Sequence, residues 1–167
     1  MLQRIQSIYL FFAALVIFGL FVFPLTHTVF INGEPSVVKI SGIYSVTSGQ
    51  QTLVLAFNML KTATVILGII PLIIIFLYKN RKQQAALCYL AVLIVIGVSF
   101  WVARVVKGSI GGQETSFSSM GIGVYLFPIA IILLLIAAKS IRRDEQLVRS
   151  AERLREAGLM HRKRAAI

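Results

Sequence analysis

Residues 117–138, FSSMGIGVYLFPIAIILLLIAA, run for 22 positions without a charged side chain. As a helix rising about 1.5 Å per residue this stretch covers roughly 33 Å, enough to cross the hydrocarbon core of a bilayer. The sequence that follows, KSIRRDEQLVRSAERLR, is too rich in arginine to continue into lipid. Three other stretches share the all-round apolar character, and together the four predict spans at about 8–24, 55–78, 85–105 and 118–138. Pro71 and Pro128 fall inside the second and fourth and predict bends there.

The intervening segments differ in kind. Residues 25–52 are polar and rich in β-branched types; Asn32-Gly33 is a turn signal, flanked by the partly alternating runs Thr28–Ile31 and Ser36–Val46. A short β-hairpin or small sheet at the membrane surface is expected, with an irregular loop as the alternative. Pro35 argues against a central ladder position. The second apolar stretch, Leu53–Tyr78, is too long for one upright span and contains Lys61. A boundary near Lys61 leaves Thr62–Tyr78 to cross, with Leu53–Leu60 as a helical extension beyond it. The loop 106–117 contains glycine, and KNRKQQ at 79–84 reads as a tight polar hairpin.

Beyond Ala138, Ile141, Leu147, Val148, Ala151 and Leu154 form an apolar stripe of roughly heptad spacing. Glu145 with Arg149, Glu152 with Arg155 and Arg153 with Glu156 offer i,i+4 and i,i+3 pairs worth tenths of a kcal/mol. This predicts a basic amphipathic helical tail, residues 139–167, ending near Gly158. The exit FPLTHT after the first apolar stretch lacks a small-x-small cleavage pattern, so that stretch is read as a retained span.

Composition agrees with a membrane class: 57% of the 167 residues are hydrophobic and mean hydropathy is +0.85. Net charge is +11, but its distribution says more. Arg4, Lys79, Arg81, Lys82 and the basic residues after Ala138 put thirteen of the seventeen Lys and Arg on one side; Lys39, Lys61, Arg104 and Lys107 lie on the other. The positive-inside rule then places both termini in the cytosol and both loops outside.

Candidate chemistry is sparse. All six acids, Glu34, Glu114, Asp144, Glu145, Glu152 and Glu156, lie outside the spans, which weighs against proton-coupled transport. His27 and His161 fall on opposite sides and cannot share a haem iron. Cys88 is the single cysteine, which excludes an internal disulfide and a two-thiol relay. No catalytic residue, metal ligand or cofactor is expected. Asn58, Lys61 and Thr62, with Arg104, form either an anion or headgroup site near the outer surface or a group in which Lys61 merely snorkels to the interface. Arg104 follows Trp101 by three residues, a spacing suited to stacking. In the tail, Arg142, Arg143, Arg149 and Arg155 suit anionic lipid headgroups, and Leu147 and Leu154 suit a partner helix or a second copy; much of that charge also enforces topology. Nucleic acid or a ribosome is disfavoured, since the tail has no aromatic platform.

The beginning MLQRIQSIYL and the junction AAKSIRRDEQLVRSAERLR resemble an uncharacterised family of small four-span inner-membrane proteins from Bacteroidota-type bacteria, defined by a domain of unknown function. The likeness covers essentially the whole chain and is most specific from Lys139 to Arg155. It implies four helices and a membrane location, and brings no activity, cofactor or site residue.

The expectation is therefore an all-α membrane protein: a four-helix transmembrane bundle over residues 1–138, a small extracytoplasmic β-hairpin and a cytosolic amphipathic C-terminal helix. The expected role is non-enzymatic, an accessory or assembly subunit associating with other membrane-protein subunits or with itself. One alternative is a small oligomeric channel or transporter for an anion, using Lys61 and Asn58. A second is a membrane-bound enzyme with an unrecognised site.

Overall fold

The computed structural model describes the backbone of residues 2–27, 29–31, 34–47, 50–77, 81–110 and 119–165, and the side chains of 5–27, 29–31, 34–46, 50–77, 82–110 and 119–151. Helix α1 (Leu2–Gly19) is followed by strands β1 (Val29–Ile31), β2 (Glu34–Lys39), β3 (Gly42–Thr47) and β4 (Gln50–Ala56), then by α2 (Asn58–Phe76), α3 (Arg81–Ser109) and α4 (Ile122–Ala165). Each helix touches its chain neighbours and α4 closes back onto α1, so the four pack in a ring. Segments Asn58–Phe76, Lys82–Ser109 and Ile122–Ala151 are long and apolar enough to cross a membrane; the apolar part of α1, Ile5–Gly19, is shorter.

Phase explains which faces turn inward. On α2 the buried positions are Leu60, Thr64, Leu67, Gly68, Pro71 and Ile74, a stripe of three- and four-residue steps. Thr64 is admitted to it because its hydroxyl donates to the Leu60 carbonyl at 2.8 Å. On α3 the small side chains Ala85, Cys88 and Ala91 face the core, which lets the backbones approach closely. Gly68 does the same on α2, where the Phe18 ring lies 2.8 Å from the place a Cβ would take. Pro71 and Pro128 sit inside continuous helices. The α2–α3 connection is tied by Gln84, buried in the first turn of α3, whose Nε2 donates to the Ile74 carbonyl at 3.1 Å near the end of α2. Gln84→Leu is expected to lower stability by about 1 kcal/mol, a melting shift of roughly 2–4 °C by thermal denaturation in mild detergent.

One expectation is narrowed and two are corrected. Of the hairpin or small sheet expected after α1, the chain forms the sheet, a four-stranded antiparallel meander in the order β1-β2-β3-β4 rather than a single hairpin. Its last strand takes Gln50–Ala56, so Leu53–Ala56 is strand rather than a helical extension, and α2 starts only at Asn58. The register explains this: Leu55 pairs with Ile43 and Ala56 with Gly42, and a Cβ on Gly42 would strike the Leu55 carbonyl oxygen. Thr47 pairs with Gln50 across Ser48-Gly49, like Asn32-Gly33 a turn dipeptide; both dipeptides lie outside the described residues. Third, the C-terminal segment is no separate helix. It prolongs α4 without a break, through Gly158 to Ala165. One glycine costs only about 1 kcal/mol among strong helix formers, too little to stop the helix by itself.

The sheet caps the end of the bundle where α1 and α3 finish and α2 and α4 begin. After α1, i→i+3 bonds carry the chain to Val22 and the Phe23 N–H closes back on the Gly19 carbonyl, consistent with Pro24 ahead disfavouring further helix. Leu25 and Thr26 then donate to the Val38 carbonyl, at 2.8 and 3.2 Å. The same segment is sewn to the start of α4: His27 N–H donates to Ser119 O, Gly121 N–H to Leu25 O and Gly123 N–H to Pro24 O, at 2.8, 2.8 and 2.9 Å.

Candidate functional site

Asn58, Lys61 and Thr62 occupy the first turn and a half of α2, directly after β4, and all three are exposed. The Thr62 hydroxyl is turned back onto the Asn58 carbonyl at 2.9 Å, which removes it from any outward constellation. Asn58 borders a recess of about 280 Å³ with Trp101 and Val105 of α3; Lys61, Thr62 and Arg104 do not line it. Arg104 is exposed on α3. The cation–π contacts among the described residues lie elsewhere, Lys39 over Tyr44 at 5.2 Å and Arg142 over Tyr89 at 5.0 Å.

The tail is more informative. Burial on α4 follows Leu134, Ala137, Ala138 and Ile141 down to Asp144, and stops there. From residue 146 to 151 every side chain is exposed, including Leu147 at 52% and Val148 at 44%. The predicted stripe thus divides: Ile141 belongs to the core, whereas Leu147, Val148 and Ala151 face outward on a helix that has left the bundle. Arg142 is held against Tyr89, while Arg143 and Arg149 are exposed. The side chains of Leu154 and Arg155 lie outside the described residues.

At the point of departure sits a polar pair that sequence reasoning missed. Gln6 of α1 and Asp144 of α4 are 4% and 8% exposed, and Gln6 Nε2 donates to Asp144 Oδ2 at 2.7 Å. The same amide reaches the Ser140 carbonyl at 3.4 Å. The contact joins residues 138 positions apart and fastens the start of α1 to α4. The signal was available in phase: Gln6 continues the stripe Leu10, Ala13, Ile17, and Asp144 continues Leu134, Ala137, Ile141. A polar residue in step with an apolar stripe is a buried hydrogen-bonding group in waiting. Among the described residues no group of three or more His, Cys, Asp and Glu comes together.

No curated protein matches the chain. A family model described as "Domain of unknown function (DUF4293)" matches residues 2–154, which takes in the bundle, the sheet, the Gln6–Asp144 contact and the first part of the projecting helix. The chain belongs to the DUF4293 family.

Proposed function

We propose that this protein is a four-span component of a bacterial inner membrane with a non-enzymatic role, an accessory or assembly subunit that docks a partner through the projecting part of α4. The observation that carries the reading is the uncovered apolar pair Leu147 and Val148 on a helix that runs on, unbroken, beyond the last buried position. From Asp144 to Ala165 that projection is about 31 Å long. A solitary amphipathic helix of this kind gains little from propensity and is stabilised by burying its apolar face on something else. The excess of Lys and Arg after Ala138 supports a cytosolic tail, with Arg143 and Arg149 close enough to the bundle to meet anionic headgroups.

A second surface supports a subunit role. All seven residues of β4 are exposed, including Leu53, Val54 and Leu55. This edge strand carries neither charge nor proline, the usual protections against strand addition. The other edge, β1, is only three residues long.

The test is purification of tagged full-length protein in mild detergent beside a version lacking residues 146–167; this cut spares Ile141 and Asp144. A stoichiometric partner is expected with the full chain and, from the loss of one binding face, at least about tenfold less with the truncated one. Partners that persist place the contact at β4, where Leu53→Lys is expected to release them. A full-length chain that always migrates alone overturns the reading.

A further inference from the structure

A cleft of about 560 Å³ opens between α3 and α4 at the sheet end of the bundle. Its walls are Val102, Ala103 and Val106 on one side and Val124, Phe127 and Ile131 on the other. The gap exists because Ser99 and Ala103, one turn apart on α3, present small side chains to α4. The polar groups at the cleft are largely neutralised by their own surroundings. The Ser99 hydroxyl donates to the Ile96 carbonyl at 2.7 Å, and Thr26 accepts from the Val38 N–H at 3.2 Å. Among the described residues one that lines the cleft is charged, Lys107, at the sheet end. The cleft therefore has an apolar length of about 12 Å, from Ser99 to Lys107 along α3, and a cation at its mouth.

We infer that this cleft binds one acyl chain of an anionic phospholipid, with the lipid phosphate at Lys107. Its volume falls within the ~300–1,000 Å³ of ordinary ligand sites. Water is a poor occupant, because a bound water needs two to four polar partners and the walls are hydrocarbon. An empty cleft forfeits the dispersion contacts of every lining atom. A chain entering sideways between two spans restores those contacts, and its phosphate meets Lys107 at the correct end. The inference rests on the membrane-spanning part of the reading above and is independent of the subunit role.

The chain's single tryptophan, Trp101, is 41% exposed and does not line this cleft, so it reports general lipid contact. Phe127 lines the cleft but is only 6% exposed, so tryptophan placed there in a Trp101→Phe background reports chain entry. The protein is reconstituted with phosphatidylglycerol or phosphatidylcholine carrying brominated chains, which quench indole fluorescence on contact. Both lipids are expected to quench Trp101. At position 127, quenching by the anionic lipid is expected at about fivefold lower mole fraction than by the zwitterionic one, the ratio that ~1 kcal/mol at one basic residue corresponds to. Lys107→Gln should abolish that preference, and Ala103→Phe, which fills the gap, should abolish quenching at 127 and, made in the chain that keeps Trp101, should leave quenching of Trp101 unchanged. Val124→Trp replaces the reporter if Phe127→Trp does not fold. Unquenched Trp101 overturns the membrane reading itself. A quenched Trp101 beside a silent reporter at 127, or one responding equally to both lipids, overturns the cleft.

Discussion

Gly121→Ala is expected to destabilise the protein by about 3 kcal/mol, and the reason is backbone rather than side chain. A Cβ at this position would strike the Pro24 carbonyl oxygen and come within 3.0 Å of the Leu25 carbonyl carbon. Neither atom can swing aside as a side-chain tip can. Relief requires residues 24–25 to withdraw, which opens the bonds from His27, Gly121 and Gly123 that join the end of the first apolar segment to the start of α4. Three hydrogen bonds at about 1 kcal/mol each give the figure, corresponding to a melting shift of roughly 6–12 °C for a chain of this size. Two other glycines calibrate it. At Gly68 the obstruction is the rim of the Phe18 ring, a partly exposed side chain that can turn, and Ala brings about 1 kcal/mol of helix propensity in return. Gly68→Ala is therefore expected to lie near zero. Nothing lies within 4 Å of a Cβ at Gly97, so Gly97→Ala should be neutral or mildly stabilising. The comparison is thermal denaturation of all three variants in the same detergent. Equal behaviour of Gly121→Ala and Gly97→Ala would show that the junction carries no stability.

That junction marks the limit of what local pattern reveals. The apolar helices were legible because continuous hydrocarbon character over about 20 residues has few other structural uses. Residues 53–56, LVLA, continue the same apolar run in sequence, and an apolar tetrapeptide is equally consistent with strand or helix. What makes them a strand is pairing with Ile43 and Gly42 of β3, a relation between segments that no window along the chain contains. Lys61 drew attention as a charge in an apolar stretch and was read as a boundary with helix on both sides; it stands instead in the first turn of α2, with strand before it. Asn58, Lys61 and Thr62 were recognisable as one turn from spacing alone. That Asn58 would share a recess with Trp101 and Val105, and not with Arg104, depends on how α3 is rotated against α2. The tail shows the opposite error. Its apolar positions were counted as one stripe, and in phase Val148 does follow Ile141 by one heptad; what separates them is that burial ends at Asp144, where the helix leaves the bundle, a tertiary fact that phase does not contain.

The Gln6–Asp144 contact is expected to control the tail as well as stability. Asp144→Leu removes the Oδ2 acceptor and leaves the Gln6 amide buried with only the longer bond to Ser140, at a cost of about 1–3 kcal/mol. Gln6→Leu removes a donor from a buried carboxylate and should cost a similar amount. The double substitution leaves neither group stranded, so its cost is expected to fall below the sum of the singles by about 0.5–3 kcal/mol. Because the pair lies where α4 departs, losing it should also loosen the helix just beyond. Cleavage by trypsin at Arg143 and Arg149, both exposed, then rises about tenfold for each 1.4 kcal/mol by which local opening becomes easier. The double variant should be cleaved more slowly than the two single effects combined would give. Additive costs in melting, with cleavage rates unchanged from the native chain, would mean that Gln6 and Asp144 merely neighbour one another. Coupled costs with faster cleavage would mean that the start of α1 sets the direction in which α4 leaves the bundle. Partner capture through Leu147 and Val148 should then weaken in the single variants, although every residue of the docking face is still present.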